Sequence, residues 1–187
     1  ITWSLFLAML FVVSGTMVAQ NYSKAINQQL SHYLEQNELL PQDAKWQVTN
    51  ESVSRTSGIQ HVYYRQLFNG IEIYGTESSI HLMSNGNVIS KDSKFIKNTS
   101  QKLIGSKTPA LTAIQAVQSA AAKLNYAISG PLTILEGATG IARETLLSDG
   151  GISLSPIPAK LMYAITDANE LVLSWDISIQ EKSQQDR

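Results

Sequence analysis

The stretch His61-Val62-Tyr63-Tyr64-Arg65-Gln66-Leu67-Phe68-Asn69-Gly70-Ile71-Glu72-Ile73-Tyr74 decides how this chain folds. Val62, Tyr64, Gln66 and Phe68 recur at every second position, the period of a strand with one face turned to a core. Asn69-Gly70 interrupts the alternation with a pair that supplies the positive φ of a tight hairpin turn. Ile71 and Ile73 resume on the returning strand. Ile80 and Leu82 belong to another, and Asn85-Gly86 signals a second hairpin before Val88-Ile89. Residues 45–95 therefore read as an antiparallel meander. Just before it, Ile26, Leu30, Tyr33 and Leu34 sit at helical spacing within residues 22–37, and Pro41 bars continuation of that helix.

The second half repeats this order weakly. A polar stretch, residues 97–107, separates the halves. Thr108-Pro109 reads as an N-cap followed by proline in the first helical turn. Leu111, Ile114, Val117, Ala121 and Leu124 then mark one helical face. Strand signals return at residues 132–135 and 141–147, Asp149-Gly150-Gly151 is a turn, and Pro156 and Pro158 mark an irregular link. Residues 161–166 and 171–180 form a last hairpin about Asp167-Ala168-Asn169. In it Leu171, Leu173, Trp175, Ile177 and Ile179 alternate with Val172, Ser174, Asp176, Ser178 and Gln180. The expected fold class is α+β, as two small units over residues 20–98 and 108–180. Each is an antiparallel sheet packed against one helix.

Composition narrows the function classes. Of 187 residues, 43% are hydrophobic and 16% charged, enough apolar material for a core. A net charge of -1 leaves no basic surplus for a nucleic-acid backbone. The absence of cysteine removes disulfides, thiol nucleophiles and thiolate metal sites. Gln36 stands where a zinc-peptidase helix beginning at His32 would place its second histidine. His61 and His81 lie on predicted strands without ligand spacing, so all three histidines read as surface or structural residues. There is no GxSxG elbow, and the glycines of Gly137-Ala138-Thr139-Gly140 lack a phosphate-loop lysine. Glu72 and Glu77 read as solvated strand residues, and Asp176 as a surface charge. Asn21, Asn50 and Asn98 open Asn-x-Ser/Thr triplets that matter only in a eukaryotic secretory pathway. No catalytic, cofactor-binding or metal-ligating residue is assigned.

The ends differ from the middle. Residues 1–13 are almost wholly apolar yet short of the roughly 20 residues of a membrane-spanning helix. They read as the core of a signal peptide, residues 1–19, with an uncleaved anchor as the alternative. Residues 181–187 are polar and read as a linker.

The 61–74 stretch resembles the fungalysin/thermolysin propeptide module, whose pattern is an aromatic-rich strand with an Arg-Gln or similar pair, then x-Gly-Ile/Val-x-Val/Ile and an aromatic. The residues that carry this are Tyr64, Arg65, Gln66, Gly70, Ile71, Ile73 and Tyr74, and the continuation through Ile80-His81-Leu82, Gly86, Val88 and Phe95 fits as well. Residues 52–58 with 61–63 look more like the fungalysin branch. The second unit resembles a PepSY-like module in Ala113-Ile114-Gln115-Ala116-Val117 and in the closing strand around Trp175, while residues 132–158 depart from the family pattern.

The resemblance spans residues 20–180. It implies that these motif residues are structural or interfacial. It implies a parent that is a secreted zinc metallopeptidase made as a zymogen, with this chain as a non-enzymatic propeptide. Such a propeptide acts as intramolecular chaperone and inhibitor and is removed on activation. Its partner would be the catalytic domain of the same precursor, which alone would hold zinc; no cofactor is expected in this chain. No nucleic acid and, after signal cleavage, no membrane is expected, and the location would be secreted or periplasmic. Three rivals stand beside this: a free-standing secreted binding or protease-inhibitor module acting in trans, a membrane-anchored domain, and a small enzyme.

Overall fold

A computed structural model describes residues 13–181 of the chain. The leader expected over residues 1–19 and the linker expected over 181–187 lie outside the described residues, save for 13–19 and Glu181. Among the described residues, no helix is long and apolar enough to cross a membrane. The named strands pair antiparallel in both sheets and the helices are few, an α+β fold as the periodicities indicate.

The chain divides into two compact units. The first holds the described residues up to Gln66 together with Thr76–Asn98. Its elements are helix α1 (Val13–Glu35), a 3-10 turn (Pro41–Ala44) and strands β1 (Trp46–Val53), β2 (Gln60–Phe68), β4 (Ser78–Leu82) and β5 (Val88–Asp92). A short strand β3 (Ile71–Glu72) follows β2, and it belongs with the last residues of β2 to the second unit. The strands order as β1-β2-β4-β5. Burial along β2 alternates without a break, as its period-two sequence requires. Val62 and Tyr64 join Ile80 and Leu82 of β4, and Ile26 and Leu30 of α1 close over them. Leu30 follows Ile26 by four positions, so both point to the same side of the helix. Fully burying each such aliphatic side chain contributes about 1.5–3 kcal/mol.

Asn69 (φ 50°) and Gly70 (φ 78°) are both left-handed, so the hairpin tip is the type I′ turn that their sequence indicates. The second hairpin differs. Gly86 N–H donates to the Met83 carbonyl at 2.8 Å, and Met83 N–H donates to Asn87. Only Gly86 of the Asn85-Gly86 pair is left-handed (φ 84°), and the register slips beside Leu82. This is a longer loop closed by a bulge.

The second unit comprises Leu67–Gly75 and the described residues from Thr99 onward. It contains α2 (Thr99–Lys102), α3 (Ala113–Lys123), β6 (Ile134–Thr139), β7 (Glu144–Leu147), β8 (Ile157–Ile165) and β9 (Leu171–Ile177). The sheet order is β6-β7-β8-β9. Three expectations are corrected here. The helix starts at Thr112, not at Thr108-Pro109. Thr112 Oγ1 accepts from Gln115 N–H at 3.3 Å, and Gln115 Oε1 accepts from Thr112 N–H at 2.9 Å. This reciprocal capping box satisfies two backbone donors at once, which the upstream pair cannot match. The buried stripe is consequently Ala113, Ala116, Val117 and Ala121, while Leu111 and Leu124 flank the helix and stay exposed.

The strands around residue 140 also shift. Gly140 (φ 61°) and Arg143 (φ 50°) form the turn, which places Ile141 in the turn and Gly137 in a strand. Finally, Pro158 lies inside β8, opposite Leu146, and not in an irregular link. It is the second residue of the strand, where a missing N–H disturbs the ladder least, and its carbonyl accepts from Ser178 N–H.

Candidate functional site

In the first unit, Tyr64 and Gln66 are fully buried on the face of β2 that α1 covers. Tyr64 packs edge-on against Trp46 and Phe95, with ring centroids 5.9 and 5.7 Å away. Its hydroxyl lies 3.3 Å from both Gln29 Oε1 and the Asp92 carbonyl. Burial pushes the phenol well above its ordinary value, and the negative potential of Tyr33 and Asp92 adds to this. Gln66 works as a clamp on two other segments. Its Nε2 donates to the carbonyls of Asp43 (2.7 Å) and Ile96 (2.8 Å), and its Oε1 accepts from Ile96 N–H at 2.9 Å. An amide is the neutral side chain that supplies both donors and an acceptor at one end, so glutamine suits this position where leucine or glutamate would not. The Asp43 carboxylate, itself buried, accepts from Asn98 N–H at 2.8 Å and holds the chain beyond Ile96.

The opposite face of the same sheet is half-buried. Arg65 pairs with Glu77 at 2.9 Å, and Thr49 donates to the same Glu77 oxygen. His61 of β2 stands directly across from His81 of β4, with Nδ1 atoms 2.8 Å apart. Their rings are tilted by 67°, and Tyr63 lies edge-on to His81. Burial pushes His81 below the ordinary histidine value, and the neighbouring His61 lowers it further. The two histidines, expected to lack a mutual spacing, thus meet. Proximity in sequence does not reveal them because they lie on strands whose pairing spans 20 residues.

The remaining motif residues lie mainly in the second unit. Gly70 supplies its turn, and a Cβ there would come within 3.2 Å of Ile141 Cδ1. Ile71 and Ile73 are buried, and Ile73 pairs in parallel with Tyr163. Tyr74 is exposed, although its N–H donates to the Tyr163 carbonyl at 2.8 Å. Trp175 Nε1 donates to the Leu111 carbonyl at 3.0 Å, tying β9 to the segment before α3. Gly86 and Val88 belong to the first unit, at the loop and in the wholly exposed strand β5. The motif residues are shared between the two units. They divide between a buried lattice and sheet surfaces.

Glu72 departs from the solvated role expected of it. It is 7% exposed and receives Lys160 Nζ at 3.1 Å. Asp176, exposed as expected, helps to line a hollow of about 470 Å³ with Glu136, Glu144, Lys160 and Ser178. Among the described residues, no group of three or more histidine, aspartate or glutamate side chains is gathered as a metal cage.

Residues 44–95, from the end of the 3-10 turn past β5 to Phe95, match the Fungalysin/Thermolysin Propeptide Motif. Longer stretches of the chain are similar to fungal enzymes. An extracellular metalloproteinase MEP of Leptosphaeria maculans is 26% identical over 144 residues, covering 74% of this chain and 22% of that protein. An extracellular metalloproteinase mep of Aspergillus niger is 26% identical over 172 residues, covering 88% of this chain and 26% of that protein. An extracellular metalloproteinase 1 of Phaeosphaeria nodorum is 24% identical over 135 residues. The chain spans about a fifth to a quarter of the length of these relatives. The match to the propeptide motif falls on the meander built on β2, the stretch that carries the glutamine clamp and the type I′ turn.

Proposed function

We propose that this chain is the propeptide of a secreted fungalysin-type zinc metallopeptidase. It acts as an intramolecular chaperone and inhibitor of the catalytic domain and is removed on activation. The observation that carries this is the propeptide motif over residues 44–95. Similarity to extracellular metalloproteinases, each several times longer than the aligned stretch, supports it. In this reading the chain supplies no catalytic group and holds no cofactor, and zinc belongs to the catalytic domain that is its partner. The second unit serves as the PepSY-like companion of the motif, and the apolar leader directs export.

The physical logic is one of linkage. A segment that binds the folded peptidase and not the unfolded one stabilises the folded form by mass action. Covalent attachment raises its effective concentration. Strand β5 is an exposed edge of the first sheet, suited to main-chain pairing with an extended segment.

The test is a refolding assay. The mature peptidase from the same precursor is unfolded in denaturant and diluted with or without equimolar chain. The expected result is a higher yield of active enzyme with the chain present. An equal yield refutes the chaperone role.

A further inference from the structure

The geometry points to a two-nitrogen transition-metal site formed by His61 and His81 on the half-buried face of the first sheet. The site would take a late first-row dication such as Cu²⁺ or Ni²⁺. It does not depend on the peptidase reading.

The two imidazoles are direct cross-strand partners, and their Nδ1 atoms already lie 2.8 Å apart. With metal–nitrogen bonds of about 2.0 Å, that 2.8 Å separation subtends an angle of about 90° at the metal. This is the cis angle of tetragonal copper or nickel. A tetrahedral zinc ion would require the nitrogens to spread. Both rings ligate as neutral imidazoles with the proton on Nε2, so a ring that donates across the 2.8 Å Nδ1–Nδ1 contact changes tautomer on binding and no net proton is lost. The cross-strand row continues outward through Ser52, opposite His61, and Ser90, opposite His81, so the flanking side chains are small and neutral. Arg65 and Glu77, on the same face, pair with each other at 2.9 Å. Two protein ligands leave the other positions open to water or to a partner's donor, which distinguishes this from a structural cage.

The backbone supports chelation as well. Both histidines are held on strands of one sheet, and each ring is packed edge-on against a neighbour. A metal gripping both would fasten β2 to β4. The second imidazole binds in an intramolecular step, which makes the pair roughly 100-fold tighter than either ring alone.

The test titrates the 187-residue chain with CuCl₂ and, separately, NiCl₂ by calorimetry, and records the electron paramagnetic resonance spectrum of the copper form. The expected result is one ion per chain and hyperfine structure from two nitrogens. His61→Ala and His81→Ala should each weaken binding about 100-fold, and His32→Ala should leave it unchanged. Circular dichroism establishes that each variant is folded; if a histidine variant is not, the wild-type spectrum decides alone. Binding that survives loss of both histidines, or a spectrum with one nitrogen or none, overturns the proposal.

Discussion

Gln66→Leu is the sharpest perturbation of the propeptide motif. Leucine keeps the approximate size of the side chain but removes both donors and the acceptor. Three main-chain groups then lose their partner: the Asp43 carbonyl, the Ile96 carbonyl and the Ile96 N–H. An unsatisfied buried polar group costs about 1–3 kcal/mol. The Asp43 carbonyl bond is buried and takes the full penalty, whereas the two bonds to half-buried Ile96 regain some water. The added apolar side chain offsets part of the sum. The net loss should be about 3 kcal/mol. Gln66→Glu should be at least as damaging, because it sets a carboxylate against two carbonyl oxygens. Urea unfolding followed by the fluorescence of Trp46, which sits in the same unit, reads the change directly. A loss below about 0.5 kcal/mol for Gln66→Leu would refute the clamp, since it would fall within the range of ordinary surface substitutions.

Three further outcomes follow from the same geometry. Gly70→Val should destabilise by roughly 1–3 kcal/mol, because it combines left-handed φ with a crowded Ile141 Cδ1, and an unchanged melting temperature would contradict this. The Tyr64 phenol is held up by burial, so above pH about 10 the unfolded chain releases that proton first and stability falls as pH rises; Tyr64→Phe should flatten this alkaline decline in urea midpoints, and an identical slope would count against it. His81 is pushed down, so below pH about 6.5 the unfolded chain takes up the proton first and stability falls with acidification; His81→Gln should reduce the difference in urea midpoint between pH 7.5 and 5.5, and an unchanged difference would dismiss the role of the pair.

The first sheet was legible because its signals are local. The alternation Val62, Tyr64, Gln66 and Phe68 needs only adjacent residues to be read, and Asn69-Gly70 encodes its own turn. Asp149-Gly150-Gly151 is likewise self-contained, with Asp149 Oδ1 accepting from Gly151 N–H at 2.7 Å. The start of α3 is not legible from Thr108-Pro109, because two N-cap signals compete within five residues and the decisive one is the Gln115 side chain reaching back to Thr112. Other features depend on chain segments far apart. Glu72 is buried because Lys160, 88 residues away, reaches it, and His61 faces His81 because β2 pairs with β4 past the short β3. Gln66 shows both sides of this. Its inward direction was readable from the period, but its partners at Asp43 and Ile96 were not, since neither lies near it in sequence.

The inhibitory role at the centre of the account is tested most directly by titrating the mature peptidase of the same precursor with the chain while following hydrolysis of a reporter peptide. The account predicts stoichiometric loss of activity at micromolar chain or below, followed by recovery as the enzyme digests its inhibitor. Unchanged hydrolysis across that range would contradict it and would favour a binding module that acts on some other protease in trans.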